Sequence, residues 1–221
     1  MNKKISYSIG VISGILFIIL MVWVKLDHTQ TPLSFDGPIQ NLAFQLQNSS
    51  ILTHFFTAYT NLFGDTGGII TAALVALLLF FLLKQKIGSL WFAGLTVLGT
   101  GFNTLVKEVI GRSRPDIHRL AAFAHQSGKS FASGHSVFAT ILFGSLFLIY
   151  FTKLKTRSAK LGLAGLVLLL TVLVMFSRVF VGVHYPSDTI GGFLEGLTFL
   201  MLTYPSFVKW NNKEYTLKIL K

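Results

Sequence analysis

The chain has 221 residues, of which 52% are hydrophobic, 14% aromatic and only 12% charged, about half the charged share of an average soluble domain. With 21 Phe, 20 Gly and a mean hydropathy of +0.65, it is not an ordinary soluble globule but fits apolar helices in lipid, where Gly is commoner than in water. The absence of cysteine removes disulfides, thiolate metal sites and cysteine nucleophiles, and the net charge of +11 has to be read against membrane topology before it is read as affinity for nucleic acid.

In chain order, the first long uncharged stretch is Ile5 to Val24, preceded by Lys3 and Lys4. Its uncharged run of 20 residues and the lack of a small-x-small pattern before Lys25 make it a retained anchor and not a signal peptide. Residues 25 to 66 follow, with Pro32, Gly37 and Pro38, and then a mixed segment from Ile39 to Phe63. Helical spacing of Leu42, Phe44, Leu46, Ile51, Phe55 and Phe56 predicts a short amphipathic helix lying on the outer leaflet. Further spans are expected at Gly67 to Leu83, Ile87 to Val106, Ser136 to Thr152, Leu161 to Ser177 and Thr189 to Phe207. Each is 17 to 20 residues long, enough for a hydrocarbon core of roughly 30 Å at about 1.5 Å per residue. Without internal repeats or low-complexity linkers, residues 1 to 221 read as one all-α membrane domain of six transmembrane helices.

Basic residues set the orientation, because short loops rich in Lys and Arg stay cytoplasmic. With the N-terminus inside, the cytoplasmic set is Lys3, Lys4, Lys84, Lys86, Lys153, Lys155, Arg157, Lys160, Lys209, Lys213, Lys218 and Lys221, or 12 of the 19 cations. An even number of spans keeps the C-terminus inside as well. Outside lie Lys25, Lys107, Arg112, Arg114, Arg119, Lys129 and Arg178, five of them in one loop with His118, His125, Glu108 and Asp116. Topology thus accounts for most of the charge, and nucleic acid is not expected as a partner.

Three polar clusters fall where spans meet the outer face: Lys107 to Pro115, Ala132 to Ser136 and Ser177 to Asp188. Their chemistry suits a phosphoryl group. Lys107, Arg114 and Arg178 supply positive charge, and the guanidinium fork matches phosphate oxygens. Ser133 and Gly134 read as a helix N-terminus whose first N–H groups form an anion site, with His135 in its first turn. His184 and Asp188 pair an imidazole nucleophile or base with an orienting carboxylate. Pro186 makes their segment a corner where a helix starts, with Ser187 or a neighbour as its cap.

These blocks resemble the signature of the type 2 phosphatidic acid phosphatase superfamily, K-x6-R-P, then P-S-G-H, then S-R-x5-H-x3-D. Lys107 to Arg114-Pro115, Ser133-Gly134-His135, and Ser177-Arg178 with His184 and Asp188 fit in order, with Ala132 standing where the family has Pro. The resemblance implies that His184 attacks phosphorus to form a phosphohistidine, that Asp188 holds its ring, and that His135 protonates the leaving oxygen and later activates water. It implies that Lys107, Arg114, Arg178, Ser133 and Gly134 bind the phosphate. No metal or cofactor is implied, and no HExxH or clustered carboxylates occur.

Plainer roles exist for the same residue types. Cations at span ends commonly anchor headgroups, but Arg178 interrupts an apolar stretch running from Leu161 to Val183, where an unpartnered charge costs on the order of 2 to 3 kcal/mol. His28, His54, His118 and His125 read as solvated loop residues, and Arg112 and Arg119 as contributors to local positive potential. Glu195, seven residues after Asp188, is expected to point into the bundle, and Gly191, Gly192 and Gly196 to permit close helix packing.

The expectation is therefore a multi-pass enzyme of the cytoplasmic membrane. It hydrolyses a membrane lipid phosphate or diphosphate at the outer face, without metal and without an obligate protein partner. Undecaprenyl diphosphate or phosphatidylglycerol phosphate are the substrates that the resemblance implies. A lipid phosphotransferase and a small non-enzymatic transporter are the alternatives. A transporter would spread ionisable groups through the midplane, whereas here only Glu195 lies deep.

Overall fold

Local capping chemistry, and small or polar residues at several helix contacts, shape the bundle. The computed structural model describes residues 2–27, 32–151 and 153–219, the last seven by backbone alone. His28, Thr152 and Lys221, and the side chains of Lys213 and Lys218, lie outside the described residues. Among the described residues the chain is all-helical: α1 (Lys3–Leu26), α2 (Asp36–Leu46), α3 (Ser50–Asn61), α4 (Asp65–Leu77, continued by a π-helical turn Leu78–Leu82), α5 (Lys86–Ile110), α6 (Gly134–Phe151), α7 (Arg157–Phe180) and α8 (Pro186–Ile219).

Helix α1 starts where Asn2 Oδ1 accepts from Lys4 N at 3.0 Å. It buries Ser6, Gly10, Ser13, Phe17, Leu20 and Val24 at helical spacing and turns Ile12, Ile15, Ile18 and Ile19 outward. In the first half of the helix the buried positions are small or polar, an arrangement lipid favours because helix association there rests on close packing and hydrogen bonds. Ser6 Oγ accordingly donates to Met201 O of α8 at 2.7 Å.

Helices α1, α4 with its π turn, α5, α6 and α7 are long and apolar enough to cross a membrane. The sixth expected span lies within α8, which is 34 residues long and packs against α1, α5, α6 and α7. Its glycines let α6 approach: a Cβ at Gly196 would stand 2.9 Å from Val137 O and from Thr140 Cβ, and one at Gly192 would strike Ser133 O. That contact holds the start of α6 against the start of α8. Beneath it lies an apolar core in which Trp91 stacks on Phe207 at 4.4 Å and donates to Thr203 Oγ1 at 2.9 Å.

The single amphipathic helix expected between Ile39 and Phe63 is instead two, α2 and α3, because Ser49 caps a new start by accepting from Leu52 N at 3.4 Å. Helix α2 buries Asp36, Gln40 and Ala43 and exposes Ile39 and Leu42, so two polar side chains face inward while two large apolar ones do not.

Replacing Gly196 with Leu should force α6 and α8 apart and lower stability by about 1–3 kcal/mol, the usual cost of overpacking. Thermal unfolding in detergent measures this, and an unchanged midpoint would show that the α6–α8 contact is not tight.

Candidate active site

Three chain segments meet around His184 and Asp188. Helix α7 ends at Phe180 and α8 begins at Pro186, whose fixed φ suits a first helical position. His184 is 2% exposed and Asp188 fully buried. Imidazole Nδ1 lies 3.3 Å from Asp188 Oδ2, and Nε2 lies 3.0 Å from Arg114 Nη1. A guanidinium only donates, so Nε2 accepts and the ring proton sits on Nδ1, facing the carboxylate. Asp188 Oδ2 also accepts from Tyr185 N at 2.9 Å and from Ser130 Oγ, while Oδ1 accepts from Arg112 Nη1 at 2.7 Å.

The cations reach this point from separate helix ends. Helix α5 stops at Gly111, whose φ of +72° is the left-handed cap that glycine adopts without strain. Lys25 Nζ donates to Val109 O and Ile110 O at that same end, at 3.0 and 3.2 Å. Lys107, in the last turn of α5, donates to Lys129 O at 3.0 Å. Arg114 spreads over the following loop, its Nε donating to Ser127 O and Gly128 O and its Nη1 to Val183 O at 3.0 Å. Arg178 is 1% exposed in the last turn of α7. Its Nη1 donates to Thr60 Oγ1 of α3 at 2.8 Å, and its guanidinium lies 5.8 Å from the Phe123 ring centre. That partner meets part of the cost of a buried charge.

Ser133 opens α6 through its backbone: its carbonyl accepts from Ser136 N and Val137 N at 3.1 Å, and its N–H donates to Asp188 O at 3.0 Å. Its hydroxyl does not cap the helix; Oγ is buried without a hydrogen-bond partner. Gly134 and His135 come next, where N–H groups lack intrahelical acceptors. His135 is half-buried and within electrostatic reach of Arg178, His184, Arg114 and Lys107. Its ring rests on Gly64, where a Cβ would collide with Nε2. A cleft of about 570 Å³ between α4 and α5, lined by Gly68, Ala72, Ala73, Thr96 and Thr100, ends on Gly134 and His135.

All eight residues singled out by the three motif blocks thus occupy one end of the bundle. Arg112, read from the sequence as a source of general potential, is buried and ion-paired to Asp188. Its place two residues before Arg114 was the available signal. Ser130 and Thr60 carried none, since lone hydroxyls in a polar loop and an amphipathic helix look generic. Ser187 lies inside α8, its hydroxyl donating to Asp36, so it is not the cap expected of it. Glu195 is buried as expected and accepts from Asn103 Nδ2 at 3.0 Å, while the same amide donates to Ala132 O at 3.2 Å. His118 is an exposed loop residue as expected, with its ring stacked on Phe44 at 4.1 Å and its carbonyl accepting from Gln47. His54 keeps to its own helix, 2.7 Å from Ser50 O. Among the described residues no group of three or more His, Cys, Asp or Glu is placed to hold a metal ion.

Residues 88–212 match the PAP2 superfamily. Over 193 residues the chain is 31% identical to phosphatidylglycerophosphatase B of Bacillus subtilis, covering 85% of this chain and 90% of that protein. It is 34% identical over 112 residues to a lipid A 1-phosphatase of Rhizobium johnstonii, covering 48% of this chain and 42% of that one. The fold resembles the crystal structure of a transmembrane PAP2 type phosphatidylglycerolphosphate phosphatase from Bacillus subtilis with a TM-score of 0.72 and 26% identity, over 90% of this chain and 96% of that one.

Burial, followed by the charges of Arg114, Lys107 and Arg178, holds the His184 imidazole well below its usual range. Each cause penalises the imidazolium, so the ring stays neutral as pH falls through about 6.5 and protonates only below it. An NMR titration of His184 in the substrate-free protein should give a midpoint below 6.5. A midpoint at or above that value would mean that the cations do not surround the ring.

Proposed function

This chain belongs to the PAP2 superfamily, and from that premise we propose that it is a multi-pass membrane lipid phosphatase working through a phosphohistidine on His184. The observation that carries the reading is the line Arg114, His184, Asp188. One imidazole nitrogen faces a buried carboxylate and the other faces a guanidinium at 3.0 Å. Asp188 keeps the proton on Nδ1, so the Nε2 lone pair points at the place where Arg114 would hold a phosphate oxygen.

In the first step Nε2 attacks phosphorus, the P–N bond forms, and the bond to the leaving oxygen breaks as His135 gives that oxygen a proton. Asp188 stabilises the positive charge that the ring acquires. In the second step His135 takes a proton from water, the resulting oxygen attacks phosphorus, and the P–N bond breaks to release inorganic phosphate. Lys107, Arg114 and Arg178, the Ser133 hydroxyl and the Gly134 N–H hold the phosphoryl oxygens and the charge that builds on them. The orphaned, buried Ser133 Oγ fits such a partner. The chemistry needs no metal or cofactor.

The substrate is a lipid phosphate or diphosphate, with undecaprenyl diphosphate and phosphatidylglycerol phosphate as the leading species. Supporting a lipid is the α4–α5 cleft, whose small residues Gly68, Ala72, Ala73 and Ala76 share its lining with His135. A tail lying there leaves its headgroup at the cations. The proposed topology has six spans, both termini in the cytoplasm and the site on the outer face of the cytoplasmic membrane. It rests on the 12 basic residues assigned to the opposite side.

Two measurements test this. Purified protein should release phosphate from lipid phosphates with or without EDTA, and H184A should release none while remaining folded. Filling the cleft with A73W should raise KM for long-chain substrates more than for short-chain ones, since each buried methylene is worth roughly 0.8 kcal/mol. Normal turnover by H184A would overturn the mechanism, and equal KM changes would remove the cleft as the tail site. For sidedness, a cysteine replacing Ser127 should react with an impermeant thiol reagent on intact cells, and one replacing Thr156 only after lysis. Labelling at position 156 from outside would reverse the topology.

A further inference from the structure

Behind Asp188 lies a second carboxylate that the phosphatase chemistry does not use. Asp36, the first residue of α2, is fully buried and sits N-terminal to the residues that match the family. Its Oδ1 accepts from Ser187 N at 2.7 Å. Its Oδ2 accepts from Leu33 N at 2.8 Å, Ser187 Oγ at 2.8 Å and Arg112 Nη2 at 3.3 Å. Arg112, also fully buried, lies with its guanidinium 4.1 Å from the Tyr185 ring centre. Its Nη1 donates to Ser187 Oγ and to Asp188 Oδ1, both at 2.7 Å. Three segments far apart in sequence therefore share one guanidinium between two carboxylates, with the Ser187 hydroxyl as a relay.

We infer that Asp36 is a positioning residue for the His184–Asp188 pair, acting by splitting the Arg112 fork. An arginine facing a lone buried carboxylate prefers to engage both its oxygens in parallel. Here Asp36 draws Nη2 away, so Arg112 reaches Asp188 through Nη1 alone and only at Oδ1. Oδ2 is left for the imidazole, Tyr185 N and Ser130. With Asp36 uncharged, Asp188 is the one carboxylate left of the two that share the guanidinium, Arg112 is drawn toward it, and the Asp188 carboxylate rotates out of register with Nδ1. His184 then loses the partner that sets its tautomer. Ser187 supports the split from both sides, since its hydroxyl accepts from Arg112 and donates to Asp36.

The inference rests on His184 and Asp188 being the catalytic pair, and the experiment separates the two. D36N preserves shape and removes the charge. It should lower kcat on a lipid phosphate by about 10-fold or more, as second-layer partners of catalytic groups commonly do, with KM unchanged. S187A, which deletes only the relay, should lower kcat in the same sense by a smaller factor. NMR of substrate-free D36N should show the Nδ1–H form of His184 depleted, a change that loosened packing alone does not produce. Helix content and detergent-phase melting are measured beside each. If D36N does not fold, S187A decides alone, and wild-type kcat in it overturns the inference. A loss confined to KM, or full activity in folded D36N beside an inactive H184A, overturns the positioning role and leaves the phosphatase standing. Full activity in both D36N and H184A overturns the positioning role together with the mechanism beneath it.

Discussion

The whole constellation hangs on one buried carboxylate. Asp188 accepts from Arg112 at one oxygen and, at the other, faces His184 and accepts from Ser130 and the Tyr185 N–H, while its backbone carbonyl takes the N–H of Ser133. Those five partners come from four stretches of chain: Arg112 after the end of α5, Ser130 in the loop before α6, Ser133 at the start of α6, and the adjacent His184 and Tyr185 just before α8. An anion with no water can persist only when so paired. The same necessity that keeps Asp188 charged therefore fixes the relative positions of all three motif blocks.

Around that anion the local balance is positive. Lys107, Arg114 and Arg178 are tied mostly to carbonyl and hydroxyl oxygens, which satisfy N–H groups without cancelling charge. Asp188 itself is taken up by Arg112. The unneutralised cations hold His184 neutral, as the proposed nucleophile requires, and suit the proposed phosphoryl group with its two or more negative charges. In the proposed reaction a single arrangement thus serves binding and nucleophile activation, because both follow from positive potential in a poorly solvated place.

The surrounding bundle supplies the position. Gly192 and Gly196 let α8 lie against α6, placing Gly134 and His135 beside His184 and Asp188. Helix α4 stands apart from this tight centre: between Asp65 and Leu77 it buries no residue, and the space between it and α5 is the cleft that ends at His135. Tight packing thus fixes the charged groups, while loose packing at the rim leaves room for an apolar chain.

Much of this was legible along the chain because hydropathy and motif spacing are local properties. Runs such as Ile5 to Val24 must be helices in lipid, since no other backbone arrangement of one segment satisfies its own N–H and C=O groups there. Cations, two histidines and Asp188 at family spacing announce phosphate chemistry before any fold is known. Partner choice is different, because it depends on which helix ends the packing brings together. Nothing in residues 33 to 36 says that Asp36 meets Arg112 and Ser187, which lie 76 and 151 residues further on. Nor does the periodicity of Leu42, Phe44 and Leu46 show that α2 turns Asp36 and Gln40 inward, for an amphipathic pattern names two faces without saying which one the core will claim. Here the buried guanidinium decided it, because a charge without water costs more than a few apolar side chains left facing lipid or headgroups.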